Sequence, residues 1–161
     1  MKFIPKLLLI LTLFTLNELK AEDFKEGSIS FSAALGQQSF NYNNYFVIGG
    51  GIGYFFFDGL EGNLFMQRWF GDKPSITEIK PGAKYVFHLV PSANPQIGTF
   101  FRHWFISSNY DDIGSIGFFG GIITSVLPKL NFSLSYVIEK PIYGSEKDTI
   151  SYPEFGFSFS F

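Results

Sequence analysis

Seven charged side chains stand on one face of segments that are apolar at every second position: Glu61; Glu78, Lys80 and Lys84; Arg102; Glu139; and Glu154. Carboxylates beside ammonium and guanidinium groups can pass ions, or can simply hold one another in a low-dielectric interior. Other chemistry-bearing residues are scarce. There is no cysteine, which removes thiolate metal sites, disulfide scaffolds and a lipoprotein anchor. His88 and His103 fall on opposite faces by alternation, so no metal site is assigned and no cofactor is expected. The run GGGIG at 49 to 53 lies inside a strand pattern with no helix after it, which suits close packing and not phosphate binding.

The elements that position these charges are strands. In EFGFSFSF, residues 154 to 161, Phe155, Phe157, Phe159 and Phe161 share one face, with Gly156, Ser158 and Ser160 on the other. The same alternation predicts strands over 27–37, 45–57, 60–70, 76–89, 96–106, 113–126, 130–140 and about 150–161. On each, apolar residues such as Phe31, Ile52, Leu64, Phe87 and Phe132 oppose polar or small ones. The glycine-rich segment 113–126 resists assignment of its faces. Asp58-Gly59 reads as a two-residue hairpin turn, and Pro128-Lys129 as a second tight turn. Pro81 and Pro153 cannot donate to a ladder, which predicts a bulge or local break at each.

Lys2 and Lys6 precede an apolar run from Leu7 to Leu16, and Ala21 is the first small residue suited to cleavage. Residues 1–21 therefore read as a signal peptide and 22–161 as one exported domain. Removing Lys2, Lys6, Lys20 and Glu18 leaves nine basic against thirteen acidic residues, a charge of −4, so no nucleic-acid partner is expected. Aromatics make up 20% of the chain, 22 of them Phe, yet no stretch of 18 apolar residues follows the signal. Helical spans are thereby excluded. Putting so much aromatic surface in lipid then requires a closed barrel, whose backbone groups pair between strands. The fold expected is all-β, an eight-stranded antiparallel up-and-down transmembrane β-barrel. Connectors 58–59, 90–95 and 127–129 are tight, whereas 38–44, 71–75, 107–112 and 141–149 are mostly longer, the asymmetry of periplasmic turns and external loops. A soluble lipocalin-like ligand carrier is the alternative, with the apolar face turned inward.

Glu154, Gly156, Phe159 and Phe161 resemble the C-terminal assembly signal of bacterial outer-membrane proteins. With the strand layout they make the chain similar to the small outer-membrane barrels typified by the OmpA transmembrane domain and OmpX. The resemblance implies an outer-membrane location, insertion by the Bam machinery and escort by periplasmic chaperones. It departs from OmpA, since no peptidoglycan-binding domain follows Phe161, and from OmpX in its short external loops. His103 also invites comparison with lipid A deacylase barrels, whose catalytic His and Ser lie two residues apart. Here Phe105 fills the serine position, and the serines of ISSNYDD come too late to replace it, so no catalytic residue is assigned and the chain is not read as an enzyme.

Eight strands leave an interior only wide enough for side chains. Pairing through the turns sets Glu61 opposite Lys84, and Lys84 opposite Arg102, and brings Glu139 near Glu154. A plugged lumen held by an ion-paired ladder follows, with a narrow ion channel or a lipid-modifying enzyme as competing readings. Tyr42, Tyr45, Tyr110, Asp111 and Asp112, in the loops NYNNY and SSNYDD, are the candidate contacts for outer-membrane lipid, lipopolysaccharide or a partner. The expected role is structural, in envelope integrity or surface interaction, for a monomer.

Overall fold

The computed structural model describes the backbone of residues 24–40, 43–71, 73–88, 93–107, 110–144 and 148–161, and the side chains of all these except 38–40. The expected signal peptide lies outside the described residues. Eight strands follow in order: β1 (Ile29–Phe40), β2 (Asn43–Phe57), β3 (Leu60–Phe70), β4 (Ile76–Val86), β5 (Asn94–Ile106), β6 (Ile113–Leu127), β7 (Leu130–Tyr143) and β8 (Ile150–Ser160). Each pairs antiparallel with the next, and β8 returns to β1 to close the barrel. All reach or exceed the ~9–11 residues that a tilted strand needs to cross a hydrocarbon layer.

Alternation places the side chains as expected. Phe31, Ile52, Leu64, Phe118, Ile138 and Phe157 are exposed on the outside, while Glu61, Glu78, Gln96, Ser115, Asn131 and Glu139 are buried within. The apolar-inward arrangement of a ligand carrier is thereby reversed. On β6, whose faces the sequence left open, Ser115, Gly117, Phe119, Gly121 and Ile123 point inward and Ile116, Phe118 and Ile122 outward.

Two tight turns define one end, here the turn end; the opposite one is the loop end. Only the second residue of each turn is left-handed, Gly59 at φ 81° and Lys129 at φ 68°, and each hairpin carries a register shift just before its turn, at Phe55/Phe57 and Ser125/Leu127. That combination is the bulged form of a short hairpin. At the loop end β1 and β2 run further than expected, to Phe40 and from Asn43, so most of the expected loop 38–44 is strand.

The prolines behave differently from one another. Val86 donates to the Gly59 carbonyl and Phe87 to that of Pro95, so odd-numbered residues of β4 aim their backbone groups at β5. Pro81 is odd, and the β4–β5 ladder skips Lys80 and Pro81 while keeping its register on either side. This is a local break without a bulge. At Pro153 the β7–β8 register runs unbroken through Tyr136↔Pro153, and the break falls on the other side, where the β1–β8 pairing goes no further than Ala33↔Phe157. The backbone edge of Pro153 faces β1 instead, as it does for Phe161, which exchanges both hydrogen bonds with Ile29.

Small residues let the wall curve around its contents. A Cβ on Gly121 would stand 2.1 Å from the Leu134 carbonyl oxygen, a backbone atom that cannot step aside, whereas on Gly120 the nearest atom is 4.0 Å away. Gly121→Val is therefore expected to destabilise the barrel by about 1–3 kcal/mol. Gly120→Ala is expected to leave it unchanged. Urea midpoints of protein refolded in vesicles check the contrast, and equal midpoints for the two variants would remove this account of the wall.

Candidate functional site: the barrel interior

The interior is stacked in layers. At the turn end Phe24, Phe55, Val86 and Ile123 form a buried apolar cluster, and Asn131 beside it donates to Ser160 Oγ at 2.9 Å and accepts from Ser125 Oγ at 2.7 Å. The first charged layer pairs Lys84 Nζ with Glu61 at 3.0 Å, the two standing opposite each other in the β3–β4 register. Gln96 donates to Ser135 Oγ at 2.9 Å at a similar depth. Above these, Lys80 Nζ meets Glu154 at 2.8 Å and lies over the rings of Phe65 and Phe100, 5.2 and 5.1 Å from their centroids.

The next layer is a node around Arg102. Its Nε is 3.2 Å from Glu78 Oε1 and its Nη1 2.9 Å from Glu139 Oε2, so one guanidinium serves carboxylates on β4 and β7. Each carboxylate completes its shell with neutral donors. Gln67 Nε2 and Trp104 Nε1 donate to Glu78 Oε2 at 2.6 and 2.9 Å. Ser115 donates to Glu139 Oε1, and Tyr152 OH donates to Glu139 Oε2 at 2.8 Å while accepting from Arg102 Nη2 at 2.9 Å. Two carboxylates can share one cation here because four neutral donors make up the difference. Tyr45, Val47, Trp69, Ile76, Ile106 and Ile113, with Trp104 against them, close the loop end as a second apolar cluster.

Two pairings differ from the sequence reading. Lys84 stands opposite Gly98, not Arg102, because β5 starts at Asn94 and the connection from β4 turns earlier than expected. Glu139 and Glu154 do not meet either: they lie opposite Ile150 and Ser135, and Tyr152 stands between their levels. All seven charges nevertheless face the lumen and are ion-paired. The partners that sequence reasoning missed are Gln67, Trp104, Ser115 and Tyr152. Tyr152 could have been found, since it sits two residues before Glu154 on the same face.

Of the loop candidates, Tyr42 lies outside the described residues. Tyr45 is not on a loop: it belongs to β2, is 1% exposed and packs its ring 5.8 Å from that of Trp69. Tyr110 and Asp111 are exposed. Asp112 folds back onto β5, accepting from Ile106 N at 2.9 Å and standing 3.6 Å from His103 Nε2. His103 lies on the outer face, hydrogen-bonded through Nδ1 to Tyr143 and edge-on to Phe105 at 4.1 Å. Phe159 and Phe161 point outward at the turn end; Glu154 and Gly156 point inward.

No protein-family model matches the chain, and no curated protein matches its sequence. Among solved structures it is similar to the N-terminal β-barrel domain of Pseudomonas aeruginosa OprF, with a TM-score of 0.61 and 21% identity over 84% of this chain and 98% of that one. The chain has the fold of a small eight-stranded outer-membrane barrel. Neisserial surface protein A (NspA) matches with a TM-score of 0.56 and 15% identity, over 83% of this chain and 94% of that one. The outer membrane protein OprG from Pseudomonas aeruginosa matches with 0.54 and 12%, over 88% and 99%.

Arg102→Met leaves Glu78 and Glu139 buried without a cation and is expected to cost about 3–5 kcal/mol. Adding Glu78→Gln and Glu139→Gln is expected to recover most of that loss. Unfolding followed by the fluorescence of Trp69 and Trp104 measures both, and an Arg102→Met barrel as stable as the parent would show that the node holds nothing together.

Proposed function

We propose that this chain is an integral outer-membrane barrel without enzymatic activity, which spans the membrane, seals its own axis and contributes to envelope integrity or surface interaction. The observation that carries the reading is the axial closure of the lumen: apolar clusters at both ends enclose a middle in which the charges are paired. An ion following that axis would have to leave water, pass an apolar layer and break a buried pair. Outside, exposed apolar residues such as Ile48, Ile52, Leu64, Phe118, Leu134 and Phe157 form the belt that acyl chains would cover. The likeness to OprF, NspA and OprG, two of them named as outer-membrane or surface proteins, supports that setting. Lipid and lipopolysaccharide would be its immediate neighbours, with the exposed Tyr110 and Asp111 at the loop end available to them.

Detergent fractionation with a heat-modifiable gel shift tests the membrane reading. The protein is expected in the Sarkosyl-insoluble fraction, its folded band shifting only after boiling. Recovery as a soluble periplasmic protein would overturn it. Leu64→Arg, at mid-height on the outer face, is expected to cost about 2–4 kcal/mol in vesicles. In planar bilayers the purified protein is expected to give no steady porin-like conductance.

The C-terminal residues support assembly by the Bam machinery and periplasmic chaperones. Phe161 also closes the wall, exchanging hydrogen bonds with Ile29 at 3.0 and 2.9 Å. Phe161→Ala keeps those backbone bonds. It is expected to refold in vesicles at close to the parent rate, yet accumulate several-fold less folded barrel in cells. An equal deficit in both settings would assign the ring to packing alone.

A further inference from the structure

We propose that the β1–β8 seam is a lateral portal through which the lumen receives the head group of a zwitterionic single-chain amphiphile from the surrounding lipid. The inference rests on the membrane reading above.

The seam is far shorter than the others. It pairs four positions, Ser30↔Ser160 to Ala33↔Phe157, with Ile29 and Phe161 bonded beneath them, whereas the next shortest seam, β4–β5, pairs nine. Continuing its register would set Leu35 opposite Phe155, Gly36 opposite Glu154 and Gln37 opposite Pro153, and none of these pairs forms. Pro153 explains part of this, because its backbone edge faces β1 and carries no N–H there. Small residues line the gap. Ala34, Gly36 and Gly156 face inward at this height, and a Cβ on Gly36 would meet nothing within 4 Å.

A cavity of about 180 Å³ occupies the place. Its walls include Lys80 and Glu154 from the lumen, and Ile52, Phe155 and Phe157 from the outer face, so it joins the two sides of the wall. Glu154 shows the connection directly, since its side chain is 37% exposed whereas those of Glu61 and Glu139 are 3% and 4%. Backbone edges open to hydrocarbon cost several kcal/mol per unpaired group and persist only where they line a polar cavity. The unpaired edges of β1 and β8 therefore require a polar occupant.

The charges select its class. An anionic head would draw Lys80 away and leave Glu154 without a partner, and a cation would do the reverse. A zwitterion supplies both signs, so each member of the Lys80–Glu154 pair can exchange its partner without being stranded. The chain attached to that head lies outward over Ile52, Phe155 and Phe157.

The test exploits the absence of native cysteine. Leu35→Cys with Phe155→Cys places two outward thiols across the gap, and a disulfide, or a short bis-thiol-reactive bridge, draws the strands together while leaving the lumen residues intact. The probe is a single-chain phosphocholine with a diazirine next to its head group, in phosphatidylcholine vesicles. The reduced variant is expected to be labelled at lumen residues around Phe65 and Phe100, with labelling falling at least tenfold on bridging and returning on reduction. A dodecanoate probe of the same design is expected to label the lumen at least fivefold less. Failure to fold in vesicles, read by heat modifiability, would remove the membrane reading and this inference with it. Folded protein without lumen labelling, or with labelling unchanged by the bridge, would overturn the portal alone; equal labelling by dodecanoate would overturn the head-group assignment.

Discussion

Arg102 reaches carboxylates on β4 and β7, and with Tyr152 of β8 it ties half the circumference of the barrel together across its axis. That cross-brace depends on a wall narrow enough for one side chain to span the interior, which eight strands provide. The narrowness has its own requirement, because side chains cannot fill every inward position at such a radius. Inward glycines at Gly53, Gly117 and Gly121 open room for Glu61, for the Phe100 ring and for the β7 backbone respectively. The polar contents and the small residues of the wall are thus two sides of one geometric constraint.

Enclosing charge is tolerable only where each charge keeps a full set of partners. The layers meet this in different ways. Glu61 and Lys84 form a simple pair, whereas Glu78 and Glu139 depend on neutral donors as much as on Arg102. The apolar clusters at the two ends keep the node away from bulk water, which strengthens its hydrogen bonds and raises the cost of breaking any one of them. The sealed axis proposed above would therefore be a consequence of how the ionic core is stabilised.

Much of this was legible in the sequence because a period of two allows no ambiguity once one face is charged. Glu61, Lys84, Arg102 and Glu154 announced the inside, and Phe31, Leu64 and Phe132 the outside. Register was legible where the connection gave the chain little freedom. Glu61↔Lys84 follows across the five residues 71–75 that join β3 to β4, but the seven-residue connection between β4 and β5 allowed a slip that moved Lys84 from Arg102 to Gly98. Strand ends were hidden for a related reason: Asn43 and Asn44 read as loop by composition, yet they extend β2 ahead of Tyr45, which packs on Trp69. On β6 the glycines erase the alternation, and with it went Ser115. The apolar clusters were missed because residues such as Phe55 and Ile76 point inward at the ends of strands, where an apolar residue breaks the polar face that the alternation assigns to the lumen.

The weakest line in the wall follows from the order of the chain. Seven of the eight seams join strands adjacent in sequence, and the two tight hairpins among them hold their registers locally. The eighth joins the first strand to the last and depends on side chains and on the few backbone bonds at its turn end. There the lumen supports it strongly, with Ser160 hydrogen-bonded to Asn131 and Phe161 packed on Phe31. Higher up the support disappears: Pro153 withholds a donor, Gly36 and Gly156 offer no side chains, and Glu154 turns across the lumen to Lys80. The same chain that braces its interior around Arg102 thus leaves one stretch of wall with no bond holding it shut, at the height where its most exposed interior ion pair lies.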